Sequence, residues 1–318
     1  MGNYRVLIAS RSFGKATPDV FDRLKGLGAE VVLNPLERAP TEADMVALIK
    51  DVDVLISGTE PVNARVFEAA NKLKGIAKHG VGYENIDLAA AKNRNIPVAI
   101  AGGTITNSVA DMTMALLLAL ARKIPLGDRA VKEGRWPRAV GVELKGKQLG
   151  IVGLGQIGKA VCRRAKGFEM EVIACDTYHD SDFAAQWQVQ YVELDILLKT
   201  ADFVSLHAPG GAETRRLIDS NRLALMKPTA YLINTARGEL VDEGALFEAL
   251  KHDRLAGAAL DVFEVEPPGA NPLFGLDNFI AAPHSAGQTN EGLRAMGEIT
   301  CDNAMKMLKG QEPLFRVV

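Results

Sequence analysis

Cysteine is scarce in this chain, and Cys162, Cys175 and Cys301 form no C-x-x-C pair and no metal-ligand spacing. A disulfide framework and a cysteine-built metal centre are thereby excluded, no metal is expected, and a reducing, cytoplasmic compartment is. Long apolar runs are also missing. The longest, 114–121, falls far short of the about 20 residues that span a bilayer, so no membrane partner is expected. The amino terminus opens on a strand pattern without signal-peptide features, and Val6 stands where a myristoylation signal carries Ser or Thr. Charge of one sign is lacking as well: 37 Lys and Arg against 39 Asp and Glu give a formal charge of −2. Basic residues occur only as scattered pairs such as Arg163-Arg164 and Arg215-Arg216, expected to face solvent, which argues against a nucleic-acid partner. Aromatics are few beside thirty glycines, which favours tight strand–helix connections over an aromatic-rich sandwich.

What is present is a long alternation of short β-rich runs and helical patterns. At 318 residues, with roughly 150 residues to a domain, the chain should form two domains. Strands are expected over 5–9, 30–33, 53–57, 75–78 and 97–100, then over 149–152, 171–175, 203–206, 230–233 and 256–260. A βαβα order of this kind implies an α/β fold with parallel sheets covered by helices on both faces. Between the two sets, Ala101-Gly102-Gly103 reads as a stop. Ser108-Val-Ala-Asp111 resembles a capping box that opens a helix to about residue 122. That helix is apolar on nearly every side, which suits either a core helix or one placed between domains or subunits. A polar stretch over 123–147 then precedes the second set, and a last amphipathic helix is expected over 289–308.

Gly153-Leu154-Gly155-Gln156-Ile157-Gly158 follows the 149–152 strand directly and opens a helical pattern. In that context its glycines give a tight turn, close backbone approach to a pyrophosphate, and close helix–strand packing. The helix N-terminus would then face the diphosphate. Asp176 ends the next strand 18 residues beyond Gly158, where a carboxylate bonds ribose hydroxyls and repels a 2′-phosphate. NAD is therefore expected over NADP.

Three further residues follow predicted strands: Arg237 in Asn-Thr-Ala-Arg-Gly, Glu266 in Asp-Val-Phe-Glu-Val-Glu-Pro, and His284 in Pro-His-Ser-Ala-Gly. Singly, each has an ordinary reading. Arg237 suits a surface ion pair, Glu264 or Glu266 a solvated charge, and His284 a turn. Together they suit hydride transfer: an imidazole to move the hydroxyl proton, a carboxylate to orient it, and a guanidinium to clamp a substrate carboxylate.

These motifs, in this order and spacing, resemble the D-isomer-specific 2-hydroxyacid dehydrogenase family, its phosphoglycerate dehydrogenase-like branch most, over nearly the whole chain. The resemblance implies two doubly wound parallel-sheet domains, with a Rossmann nucleotide domain (104–289) inserted into a flavodoxin-like substrate domain (1–103 and 290–318). It implies Arg237, Glu266 and His284 as catalytic residues. It implies cofactor contacts from Gly153, Gly155, Gln156, Ile157, Gly158, Asp176, His207, Pro209, Thr235, Ala236, Arg237, Asp261, His284 and Gly287. His207, in the Ser205-Leu206-His207-Ala208-Pro209 loop, is expected to position that loop. In the first domain, Lys78-His79-Gly80-Val81-Gly82-Tyr83 is similar to the loop whose amides hold the substrate carboxylate. Val81 and Gly82 are then the anion nest, and Lys78 either reaches a distal substrate charge or is solvated. His79 is expected to border the site without acid–base work, and His179 and His252 to lie on the surface. The function implied is NAD-dependent hydride transfer at C2 of a D-2-hydroxy acid, D-3-phosphoglycerate being one candidate. The alternatives are a glyoxylate or hydroxypyruvate reductase, or, outside enzymes, an NAD(H)-sensing corepressor-like scaffold. Two departures stand out. Gly210-Gly211 replaces the usual Leu-Thr, and Ser57 stands where some phosphoglycerate dehydrogenases carry a phosphate-binding arginine. The related formate dehydrogenases carry glutamine at the position of Glu266. No carboxyl-terminal regulatory domain is expected, and the helix near 112–120 with the 123–147 extension resembles dimerisation elements, so a homodimer is expected.

Overall fold

A computed structural model describes residues 4–318 and divides into two compact units, one running through Ile105 and resuming over Gln288–Val318, the other Thr106–Gly287. In the first unit, β1 (Tyr4–Ile8), α1 (Asp19–Gly26), β2 (Ala29–Leu33), α2 (Glu42–Leu48), β3 (Val54–Ser57), α3 (Ala64–Ala69), β4 (Gly75–Lys78), α4 (Leu88–Asn93) and β5 (Val98–Ala99) alternate along the chain. The strands form one parallel sheet in the order β2-β1-β3-β4-β5. Strands β3 and β4 are buried at every position, as expected of a sheet covered on both faces. One face packs Leu7, Leu55, Ile76 and Phe67; the other packs Val6, Ile8, Val54 and Ile56. Side-chain caps fix the helix starts: Thr41 opens α2 with a reciprocal Asp44 contact, and Asn63 and Asp87 cap α3 and α4.

In the second unit, α5 (Thr106–Ala121) and α6 (Ile124–Lys132) precede β6 (Gln148–Val152), α7 (Gln156–Gly167), β7 (Glu171–Cys175), α8 (Ser181–Trp187), β8 (Val189–Tyr191), α9 (Leu194–Thr200), β9 (Phe203–Leu206), α10 (Ser220–Leu223), β10 (Tyr231–Asn234), α11 (Glu243–Lys251), β11 (Gly257–Leu260) and β12 (Phe279–Ala281). Its seven strands are parallel in the order β12-β11-β10-β9-β6-β7-β8. The order reverses between β6 and β9, and the crevice at the carboxyl ends of such a pair is where doubly wound sheets bind ligands. The last helix, α12 (Asn290–Leu308), belongs to the first unit and packs on β3, β4 and α1.

Three local expectations change. The helix opens at Thr106, so Ser108 is buried inside its first turn and does not cap it, while Asp111 accepts a hydrogen bond from Arg164 Nε (2.6 Å) on α7. Arg164 is thus engaged in an ion pair and does not simply face solvent. Helix α5 packs against α7, β10 and β11 inside the second unit. The polar stretch from 123 holds a helix, with Pro125 in the first turn of α6, where a missing N–H costs nothing.

Candidate active site

The glycine loop lies between β6 and α7. Gly153 has φ +93°, and a Cβ there would lie 2.7 Å from the backbone of His207 and of Ala208, so β6 and β9 end in contact at the sheet's reversal point. A Cβ on Gly158 would lie 2.2 Å from the Gly153 carbonyl, which is the close packing that a third glycine permits. Gly155 differs: a Cβ there would meet no atom within 4 Å. It is the N-cap of α7 and supplies no side-chain acceptor, so the first-turn amides, Gln156 and Ile157 among them, are left for a ligand. Asp176 is fixed above this loop, with Oδ2 accepting from Leu154 N–H (2.6 Å) and Oδ1 from Tyr178 N–H (2.9 Å). An open helix terminus with a carboxylate at the next strand end fits the diphosphate and ribose of NAD.

His207 bonds Ser205 Oγ through Nε2 (2.8 Å), while its buried Nδ1 has no partner. Burial pushes its pKa down to about 4, so it is neutral at ordinary pH and unsuited to proton transfer. The loop after it turns at Pro209, whose carbonyl accepts from Thr214 Oγ1 (2.8 Å).

Beyond β10, the Asn234 side chain organises the next turn. It accepts from Ala236 N–H (3.0 Å) and donates to the Arg237 carbonyl (2.8 Å). The Thr113 hydroxyl donates to the Val109 carbonyl (2.8 Å), so in the Thr113–Thr235 contact (2.9 Å) the Thr235 hydroxyl is the donor, tying this turn to α5. A Cβ on Gly238 would sit 1.9 Å from the Phe263 carbonyl carbon. The Arg237 turn therefore lies directly against the segment that carries Glu266.

Asp261, directly after β11, is fully buried. Its carboxylate accepts from the amides of Ser285 (2.8 Å) and Ala286 (2.9 Å), and its carbonyl from His284 N–H (2.8 Å). These bonds hold His284 at φ +51°, a conformation unfavourable for a side chain with Cβ, and Gly287 completes the turn. His284 Nδ1 then meets Glu266 Oε2 at 2.7 Å, while Glu266 Oε1 accepts from Phe263 N–H (3.0 Å). The hydrogen bond to Glu266 raises the His284 pKa against the opposing effect of burial. Burial alone would push Glu266 upward, but the bonds from His284 and Phe263 and the charge of Arg237 outweigh it and leave the carboxyl lowered. Glu264 lies apart from the imidazole and faces Arg215 (3.2 Å) and Arg216 (3.6 Å).

In the first unit, the loop after β4 carries half-buried Val81 and Gly82. Lys78 is not solvated: it is 5% exposed, and its ammonium donates to the Gly58 carbonyl and to Asn85 Oδ1 (2.7 Å). His79 is buried too, edge-on to Phe13 and within 3.4 Å of Thr300 Oγ1. Burial, reinforced by the Lys78 charge, holds its pKa down at about 4. His179 and His252 are exposed, the former stacked on Tyr191. The sequence reading assigned no role to Asn85 or Glu60; nothing in an isolated Asn or Glu of a loop signals burial.

Residues 114–286 match the D-isomer specific 2-hydroxyacid dehydrogenase NAD-binding domain. The chain belongs to the D-isomer-specific 2-hydroxyacid dehydrogenase family. It is similar to a glyoxylate reductase of Korarchaeum cryptofilum, 44% identical over 87% of this chain and 86% of that one. It is also similar to a D-3-phosphoglycerate dehydrogenase of Methanocaldococcus jannaschii, 45% identical over 85% of this chain but 52% of that one. A D-lactate dehydrogenase of Aquifex aeolicus, solved with NAD and lactic acid, superimposes with TM-score 0.85 at 28% identity over 96% of both chains. Members of this family are NAD-dependent oxidoreductases acting on the CH–OH group of 2-hydroxy acids, and this chain is one of them.

Proposed function

We propose that this chain reduces small, unphosphorylated 2-oxo acids, glyoxylate and hydroxypyruvate among them, to the 2-hydroxy acids. The His284–Glu266 contact of 2.7 Å beside the Arg237 turn carries the chemical part of this reading. NADH supplies the hydride when bound. Arg237 clamps the substrate and polarises its carbonyl, and the Val81 and Gly82 amides receive the carboxylate. Protonated His284 delivers the proton from Nε2 to the developing alkoxide. Glu266 holds the Nδ1 proton, which fixes the tautomer and stabilises the imidazolium. Gly153, Gly155, Gln156, Ile157, Gly158, Asp176, His207, Pro209, Thr235, Ala236, Asp261 and Gly287 line the cofactor's path.

The substrate class rests on charge. Ser57 is fully buried where a phosphate-binding arginine would stand, and the Lys78 ammonium is engaged by Gly58 and Asn85. A complete Arg–Glu–His set disfavours a non-catalytic scaffold. We also propose a homodimer, because Ile124, Val131, Trp136 and Val140 leave apolar side chains exposed along 124–140, and a cytoplasmic setting, which suits three unpaired cysteines. His284→Ala should lower kcat with glyoxylate and NADH by about a hundredfold or more while NADH still binds by fluorescence titration. Unchanged turnover would overturn the assignment.

A further inference from the structure

The sheet of the first unit reverses its order between β1 and β3, and its neighbouring loops are cross-braced by one buried cation and one amide. Gly58 follows β3, and a Cβ on it would lie 2.9 Å from Ser10 Cα, so the ends of β1 and β3 are in contact. Lys78, at the end of β4, donates to the Gly58 carbonyl and to Asn85 Oδ1. Asn85 in turn donates through Nδ2 to the carbonyls of Gly58 (3.2 Å) and Glu60 (2.6 Å), and its own carbonyl accepts from Val62 N–H (2.8 Å). Glu60, 2% exposed, closes the network by accepting from Gly58 N–H (2.7 Å). The segment carrying Val81 and Gly82 lies between these anchors. It leaves β4 beside Lys78, is pinned at the Gly80 carbonyl by Ala101 N–H (2.9 Å), and returns at Asn85.

We infer that Lys78 and Asn85 are positioning residues for substrate carboxylate binding: they hold the Val81 and Gly82 amides in one conformation. The inference rests on the reading of those amides as the carboxylate site and replaces a direct contact between Lys78 and a distal group of the substrate. A buried ammonium commits its donors to the bonds that compensate its desolvation; moving it to a substrate tail would leave Asn85 Oδ1 without its donor and remove one of the bonds to the Gly58 carbonyl. Amides that are already aligned bind an anion without first being ordered, so the loss of the brace appears in affinity for every 2-oxo acid alike.

Glyoxylate makes the test clean, because it has no group beyond the carbonyl carbon for Lys78 to touch. With NADH as reductant, Lys78→Met should raise KM by about tenfold for glyoxylate and hydroxypyruvate equally, with kcat within about threefold and NADH affinity unchanged. Asn85→Ala should do the same, and the double variant should be no worse than the poorer single one, since both remove one brace. Should Lys78→Met fail to fold by circular dichroism, Asn85→Ala carries the same measurement. An increase confined to hydroxypyruvate, no increase, or multiplicative effects in the double variant would overturn the inference. Oxamate titrated into the NADH complex reads the same carboxylate site without turnover. About tenfold weaker binding in both variants supports the brace and equal binding refutes it, even where the wild type reduces neither acid and the proposed function itself has failed.

Discussion

The state of His284 depends on the charge of one neighbour. Its pKa is raised chiefly because Nδ1 donates to an ionised Glu266, so the protonated imidazolium is the form the site favours. In the proposed reaction, reduction needs that form, so activity should hold below the raised pKa and fall as pH climbs through it. In Glu266→Gln the amide oxygen can still accept the bond but carries no charge, while burial continues to disfavour the imidazolium. The alkaline limb of kcat/KM for reduction should therefore move to lower pH. A pH–rate profile of the variant checks this, and an unmoved limb would show that Glu266 does not set the His284 pKa. The same coupling gives a linked stability: it is fully present below the unfolded pKa of histidine and disappears as pH rises through the folded value. Contrast His207 and His79, both held neutral by burial at about 4. All are histidines near strand ends, but His284 has a carboxylate beside it and a largely exposed side chain, while the rings of His79 and His207 are enclosed.

At the scale of elements, the site is made by the ends of adjacent parallel strands. β10 and β11 are neighbours, and so are β11 and β12; that adjacency brings Arg237, Glu266 and His284 from separated stretches of sequence to one edge of the sheet. The Gly238 contact is its tightest point. Gly238→Ala would push a methyl group into the Phe263 backbone, which has no side-chain freedom to yield. It should cost about 1–3 kcal/mol of stability, seen in thermal melts, and lower kcat more than it weakens NADH binding. A variant with wild-type Tm and kcat would mean the turn can separate without consequence. Motif spacing made the glycine loop and Asp176 legible, because turn, helix start and strand end follow one another within a single βαβ unit. The buried setting of Lys78 was not legible, since its partner Gly58 comes from the end of β3 and Asn85 is brought back to it only by the fold of its own loop.

For the whole molecule, an exposed apolar strip is the main unresolved feature of the second unit. Trp136 is 76% and Val140 85% exposed, more than a protein surface ordinarily leaves to such side chains in one short segment. The proposed homodimer would cover it with a second copy. Light scattering at micromolar concentration should give a mass near twice 34.1 kDa, and Trp136→Glu together with Val140→Glu should shift the population toward monomer. A monomeric wild-type chain would refute the dimer.

The sequence by itself determined the α/β class, the nucleotide loop, the acid at the second strand end, and which arginine, glutamate and histidine to consider. Each of these is written in local patterns: apolar period, glycine spacing, a motif after a strand. Only the tertiary structure decided that Asp261 holds the backbone of the His284 turn and that Lys78 is buried and bonded to Gly58 and Asn85. Those outcomes depend on which strand ends become neighbours and on which polar groups lose water there. Burial and charge pairing belong to the packed sheet, and no single stretch of the chain encodes them.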